Sequence, residues 1–139
     1  MSTTLAKIAE AELTRRRAAL ARAVEGGAVS AAAANDNARL WLAIAAKAGA
    51  ILPELELQTI FPLGGKTLIQ WFDIADAPEL LAELARARDI ALASSIAHPD
   101  DLARQQRAWD LQGLAEAFGA RPPTPETFRL PEQPERTAA

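Results

Sequence analysis

The segment Gly64–Thr67 reads Gly-Gly-Lys-Thr, which is the end of a phosphate-binding loop pattern. Such a loop wraps phosphates with its backbone N–H groups and needs another glycine five positions before the glycine that precedes the lysine. That position is Ile60, and Pro62 removes one of the backbone donors. The pattern therefore predicts a glycine turn that binds no nucleotide, and we expect no cofactor.

His98 is the only histidine in the chain, and Asp100 and Asp101 follow it closely. A histidine beside a carboxylate can act as a general acid and base, and paired carboxylates such as Asp73 and Asp76 could hold a hard cation. The local pattern is also typical of a break between helices with acidic N-caps. We therefore expect no catalytic and no metal-binding residue, and a small enzyme centred on His98 is kept as an alternative.

Four arginines near the N-terminus, Arg15, Arg16, Arg17 and Arg22, form the one basic cluster. Successive helical residues point about 100° apart, so the three consecutive arginines cannot form one stripe. Arg16 is expected to pack its stem on the apolar face, with its charged head in water. Arg15, Arg16 and Arg22 are candidate contacts to phosphate or to an acidic partner surface. The formal net charge of −3 does not favour nucleic acid as a partner.

A longer motif joins the Leu63–Thr67 turn, Leu68, Trp71-Phe72 and a helix start near Pro78-Glu79. It resembles part of the toxin-binding domain of Xre/MbcA/ParS-type antitoxins, where a Leu-Gly-Gly-Lys/Arg-Thr/Ser turn precedes a short and then a longer helix. The resemblance covers about thirty residues. That family has a proline soon after the threonine, where this chain has Leu68, and a compact multi-helix N-terminal half, where this chain predicts a helical hairpin. The resemblance implies an alternative function, an antitoxin-like or DNA-associated regulatory protein.

Helical periodicity predicts a mostly α fold of about four helices in two antiparallel hairpins. The first helix spans about 4–25 and is stopped by Gly26-Gly27. The second runs from an N-cap at Ser30 to about residue 50. The polar insert Asn35–Asn37 predicts a restart within this helix, because these side chains favour caps over helix interiors.

The second hairpin has clearer start signals. Asp76–Glu79 combines an N-cap, a proline in the first turn and a capping-box glutamate, which predicts a helix to about residue 97. His98-Pro99 interrupts it, because a residue before proline avoids helical geometry. The last helix then opens at Asp100-Asp101 and runs to about Gly119.

Residues 55–74 have two interpretations. Alternating apolar residues on either side of a proline and glycine turn predict a small β-hairpin with a four-residue loop. The alternative is a loop followed by a short helix over 66–74. Short apolar runs do not separate these structures by periodicity alone, so both stay open.

The domain prediction is a single helical domain over 1–119 and a flexible proline-rich tail over 120–139. The chain has no cysteine, which excludes disulfides and thiolate chemistry. No apolar run approaches the ~20 residues that span a bilayer, and the N-terminus lacks the pattern of a signal peptide. We therefore expect a cytoplasmic protein without a membrane partner.

The last helix is apolar on two sides. Trp109 and Gly113 lie within about 20° of Leu102 on a helical wheel, and Ala117 lies about 60° away. Three larger apolar residues cluster on roughly the opposite side: Leu111, Leu114 and Phe118. A surface helix normally has one apolar stripe. We expect the larger residues to face inward and Trp109, with the small Gly113 and Ala117, to meet a partner.

These observations favour a non-enzymatic helical interaction or adaptor protein whose partner is another protein or a second copy of the chain. Twelve arginines against three lysines, with abundant alanine and proline, indicate a GC-rich bacterial coding sequence. An accessory protein of a mobile element, such as a phage or plasmid, fits this description. The antitoxin-like or DNA-associated protein and the enzyme centred on His98 are the alternatives.

Overall fold

The computed structural model describes residues 2–50, 56–58, 66–68 and 71–125. The described residues are mostly helical, as predicted. In chain order, the elements are α1 (Ser2–Glu25), α2 (Ala31–Lys47), β1 (Glu56–Gln58), β2 (Lys66–Leu68), α3 (Trp71–Ile74), α4 (Ala77–Ala97) and α5 (Leu102–Phe118). Contacts divide the chain into a first unit, residues 1–80, and a second unit, residues 81–139. The single domain over 1–119 stays a prediction, and each unit is described by itself.

The first unit is built on a hairpin of α1 and α2, which pack against each other. Ala9 and Leu13 of α1 are buried at the helical spacing of four residues, and so are Trp41 and Ile44 of α2 at a spacing of three. Arg16 in the middle of α1 donates to Asn37 in the middle of α2 at 3.3 Å. The predicted first hairpin is thus confirmed.

The ends of these two helices follow from single residues. Gly27 has a φ of 80°, which an L side chain rarely adopts, and it ends α1. The hydroxyl of Ser30 accepts a hydrogen bond from the Ala33 N–H at 3.1 Å and caps α2, as predicted. α2 ends at Lys47 rather than near residue 50, because Gly49 takes a φ of 100° and turns the chain.

The predicted restart at Asn35–Asn37 is wrong, because α2 runs without interruption from Ala31 to Lys47. Two of the polar side chains have hydrogen-bond partners while the backbone stays helical. Asp36 accepts from Arg39, one turn further on, at 2.8 Å, and Asn37 accepts from Arg16. Because these side chains bond to arginines, they do not compete with the helix for backbone hydrogen bonds, which is the reason such residues favour caps.

The segment between the hairpins contains a short antiparallel strand pair. β1 pairs with β2 in the register Glu56 with Leu68, Leu57 with Thr67 and Gln58 with Lys66. A single helical turn, α3, follows at Trp71–Ile74. Of the two interpretations, the β-hairpin pairing is the one observed, and the helical part is shorter than predicted. The predicted glycine turn at Gly64-Gly65 lies outside the described residues.

The second unit pairs most of α4 with α5. Arg104 in the first turn of α5 donates to Ser94 late in α4 at 2.6 Å, whereas Arg121, just after α5, donates to Asp89 in the middle of α4 at 2.6 Å. Late residues of one helix thus meet early residues of the other, which is an antiparallel arrangement. Leu84 of α4 is buried in this unit.

The described chain continues past α5 to residue 125, and residues 126–139 of the predicted tail lie outside the described residues. Gly119 ends α5 with a φ of 84°, as the sequence predicted. The tail was predicted to be flexible from residue 120, yet Arg121 is bonded to α4. Among the helices described, none is both long and apolar enough to cross a membrane.

Candidate interaction surface

One side of α5 is exposed along its whole length. We define the outer face of α5 as seven exposed residues that lie within about 60° of one line along the helix: Leu102, Gln105, Gln106, Trp109, Gly113, Glu116 and Ala117. Leu102 is 80% exposed and Trp109 is 75% exposed. Two large apolar side chains on one face of one helix are therefore open to solvent.

The opposite side of α5 is buried. Leu111 and Leu114 are 1% and 0% exposed, and Ala108 and Ala115 are buried beside them. Phe118 is half-buried. The prediction that Leu111 and Leu114 face inward is confirmed. Because one stripe already meets the core of the unit, the apolar residues of the outer face are not needed for that core.

The rotation of α5 is set at its first turn. The Asp101 carboxylate accepts the Arg104 backbone N–H at 3.2 Å and the Arg104 Nε at 2.9 Å. Both hydrogen bonds lower the pKa of Asp101, and the one from the Arg104 backbone has the larger effect. Arg104 also reaches Ser94 of α4, so the cap is tied to the neighbouring helix. This contact contributes to the rotation of α5 that leaves its outer face exposed.

The outer face has a projection and a recess. Trp109 projects, and within the described chain no side chain stacks on its indole or hydrogen-bonds to it. One turn further on, a Cβ added at Gly113 would meet no atom within 4 Å. Ala117 extends this recess by another turn with a side chain of one carbon. A large knob thus lies beside an open notch.

The basic cluster does not form one surface. Arg16 is only 13% exposed in its side chain, its Nε lies 2.8 Å from Glu12, and its guanidinium lies 4.6 Å from the centre of the Trp41 ring. Glu12 is itself buried. The prediction that the Arg16 stem packs on the apolar face is confirmed, but its charged head is bonded to the buried Glu12 and stacks on Trp41 instead of lying in water. Arg15, 3.7 Å from Glu12, and Arg22 are exposed, as is Arg17, so of the three candidate contacts only Arg15 and Arg22 are accessible.

Arg39, the remaining arginine of the first unit, is held by two carboxylates and a backbone carbonyl. Its Nη2 lies 2.8 Å from both Asp36 and Glu79, and its Nη1 donates to the Ile74 carbonyl at 2.9 Å. The hydrogen bonds that Arg39 donates to Glu79 and Asp36 raise the pKa of Arg39. Two carboxylates at this distance offset the positive charge that would attract a phosphate.

The candidate acid–base residues have structural roles. His98 is exposed, and its Nδ1 lies 3.1 Å from the Ser94 carbonyl at the end of α4. Asp101 caps α5, and Asp76 caps α4 by accepting the Glu79 N–H at 3.1 Å. The side chain of Asp73 lies outside the described residues. Among the residues described, no group of three acidic or histidine side chains could hold a metal ion.

Arg88 is one of three buried charged residues in the described part of the chain, with Glu12 and Glu83, and no sequence pattern predicted that any of them is buried. Arg88 in α4 is 2% exposed, with its Nε and Nη2 at 3.0 and 2.8 Å from Asp89 and its Nη1 bonded to the Arg121 carbonyl. Burial disfavours ionised Asp89, but hydrogen bonds from Arg121 and Arg88 outweigh burial and hold the pKa of Asp89 below its usual value. Asp89 is the next residue in the chain, but the carbonyl that Arg88 also reaches belongs to Arg121, which follows α5, and no local pattern indicates that contact.

The fold and this surface define a mainly helical protein with an exposed tryptophan face. No protein-family model, no curated protein and no solved structure matches the chain. The functional argument therefore rests on the residues and geometry described above.

Proposed function

We propose that this chain is a non-enzymatic interaction protein, an adaptor, that binds another protein chain through the outer face of α5. The observation that carries the proposal is the 75% exposure of Trp109 on a helix whose opposite side is fully buried at Leu114. Tryptophan is enriched among the residues that dominate binding energy at protein interfaces. Its side chain offers roughly 150–250 Å² of surface to a partner.

The surroundings of Trp109 also favour a protein partner. Leu102, two helical turns away on the same face, adds a second exposed apolar side chain. The polar residues beside them are Gln105 and Gln106, which can hydrogen-bond without the desolvation cost of a charge. An apolar centre with a polar rim is typical of a protein–protein interface.

The alternatives have less support. A DNA-associated protein needs an accessible basic surface, yet the Arg16 and Arg39 charges are matched by Glu12, Asp36 and Glu79. An enzyme centred on His98 needs groups that converge on the imidazole, and that ring is exposed at a helix end. In the proposed setting, the adaptor acts in the cytoplasm of a bacterium as an accessory protein of a mobile element. The arginine bias and the lack of cysteine support this setting.

The test is affinity capture in the source organism with the full chain as wild type, Trp109→Ala and Ile90→Ala. Ile90 is the matched control, because it is an apolar residue of the second unit that is 52% exposed on α4. We expect a stoichiometric protein partner that wild type and Ile90→Ala retain and that Trp109→Ala loses. A partner retained by all three variants, or nucleic acid in place of a protein, would contradict the proposal.

A further inference from the structure

The outer face of α5 has a shape that a second copy of itself can complete. Trp109 is a knob, and the notch at Gly113 and Ala117 lies on the same face, one to two turns further along. A two-fold symmetric interface brings a patch against its own copy, so a patch that carries both a knob and a notch can fill itself. We propose that the chain forms a homodimer in which two α5 helices pack antiparallel through their outer faces.

The register follows from the spacing. If the two-fold axis crosses the helices at the level of residue 111, Trp109 of each copy lies opposite Gly113 of the other. Large side chains on a helix lean toward its N-terminus. In an antiparallel pair, the N-terminus of one helix points toward the C-terminus of the other. Each indole therefore leans into the space between Gly113 and Ala117 of the second copy.

Charge selects the antiparallel arrangement. Glu116 is the one charged residue among the seven residues of the outer face. An antiparallel pair aligns the two helix dipoles favourably. A parallel pair would place Glu116 against Glu116 of the second copy. In the antiparallel register, those two carboxylates lie about 15 Å apart along the axis.

This inference rests on the proposed function, because it uses the same surface, and it names the partner as a second copy. The first test is sedimentation of the full chain from about 1 to about 200 μM. We expect wild type to dimerise, and Trp109→Ala to raise the dissociation constant about 30-fold or more, the scale of an anchoring tryptophan. Ile90→Ala is the control and should leave the dissociation constant within about twofold of wild type.

Gly113→Leu separates folding from association. A Cβ at Gly113 meets no atom of the described residues within 4 Å beyond its own stretch of helix backbone, and leucine favours a helix more than glycine does. This variant should therefore fold at least as stably as wild type but fail to dimerise, because its side chain fills the notch. A Gly113→Leu chain that dimerises like wild type would overturn the proposed register.

Cysteine pairing tests the direction of the helices, since the chain has no cysteine of its own. Gln106 and Glu116 face each other across the proposed axis, whereas within one chain they lie about 15 Å apart. A mixture of Gln106→Cys and Glu116→Cys chains should oxidise mainly to the mixed disulfide. Preferential disulfides between two Gln106→Cys chains would overturn the antiparallel arrangement.

The two proposals fail in distinguishable ways. A wild-type chain that stays monomeric throughout the concentration range overturns the homodimer. If a different protein is then captured in a Trp109-dependent manner, the proposed function stands and the partner is that protein. If neither self-association nor capture depends on Trp109, both proposals are overturned.

Discussion

The guanidinium of Arg39 lies 2.8 Å from the carboxylate of Glu79, although forty positions separate the two residues in the chain. The other oxygen of Glu79 accepts the Asp76 backbone N–H at 3.2 Å, and the Glu79 N–H donates to the Asp76 side chain. Glu79 therefore completes the cap of α4 and also connects that cap to α2. The local capping box and the long-range ion pair share one side chain.

Substitutions of Glu79 should separate these two roles. Glu79→Gln can keep the hydrogen bond to the Asp76 N–H but loses the charge that pairs with Arg39. Glu79→Ala loses both. We expect the free energy of unfolding at pH 7, measured by chemical denaturation, to decrease from wild type to Glu79→Gln to Glu79→Ala. Equal stability of the two variants would show that the capping hydrogen bond contributes nothing.

The same substitution should have opposite outcomes at two tryptophans. Trp41 is fully buried, and Trp41→Ala should lower the free energy of unfolding by about 3–5 kcal/mol through lost burial and the cavity left behind. Trp109→Ala should change it by less than about 0.5 kcal/mol, as for an ordinary surface residue. Denaturation at low micromolar concentration keeps dimerisation out of the comparison. A large loss at Trp109 would place its indole in the core of the monomer.

The buried Arg88 makes the Asp89 carboxylate important for stability. Asp89→Asn removes the charge that pairs with a guanidinium 3% exposed, and we expect it to destabilise the chain by about 2–4 kcal/mol. Arg121→Ala removes the other partner of Asp89, whose side chain is 52% exposed, and should cost less than about 1 kcal/mol. Urea denaturation of both variants measures the difference. Similar losses would mean that the exposed pair is as important as the buried one.

Acid should destabilise the chain through Glu79 and Asp89, whose pKa values in the folded chain lie below their ordinary values of 4.5 and 3.8. A group whose pKa is lowered by folding contributes stability above its unfolded pKa and loses it as the pH falls through the folded value. Thermal unfolding temperatures should therefore fall below about pH 4.5. Glu79→Gln and Asp89→Asn should each show a shallower decrease than wild type. An unchanged acid profile in both variants would contradict this assignment.

The helix ends could be predicted because their causes are local. Ser30 accepts from the N–H three residues ahead, Asp76 and Glu79 exchange hydrogen bonds over three residues, and Gly119 needs only its own freedom of φ. Each interaction lies within one helical turn, so residue types and spacing contain it in full. Gly49 carries the same kind of local signal, and α2 ends at Lys47, three residues before the predicted end.

The sequence predicts two apolar sides of α5. Because both sides carry large apolar residues, hydrophobicity alone does not distinguish the buried side from the exposed one. A helical wheel shows that Trp109 and Leu111 point in nearly opposite directions, and it does not show which of them meets the core. That choice depends on the rotation of α5 about its axis. The bond from Arg104 to Ser94 of α4 contributes to that rotation and joins residues ten positions apart.

The sequence by itself determined where the long helices begin and end, because caps and glycine turns act over three or four residues. Only the tertiary structure decided which charges are buried and matched. Arg88 reaches the carbonyl of a residue thirty-three positions away, and Arg39 reaches Glu79 across forty. Such pairs depend on how the helices pack. The chain contains many carboxylates and carbonyls that could each accept from a given arginine. Local propensity carries no information about which one the folded chain brings within 3 Å.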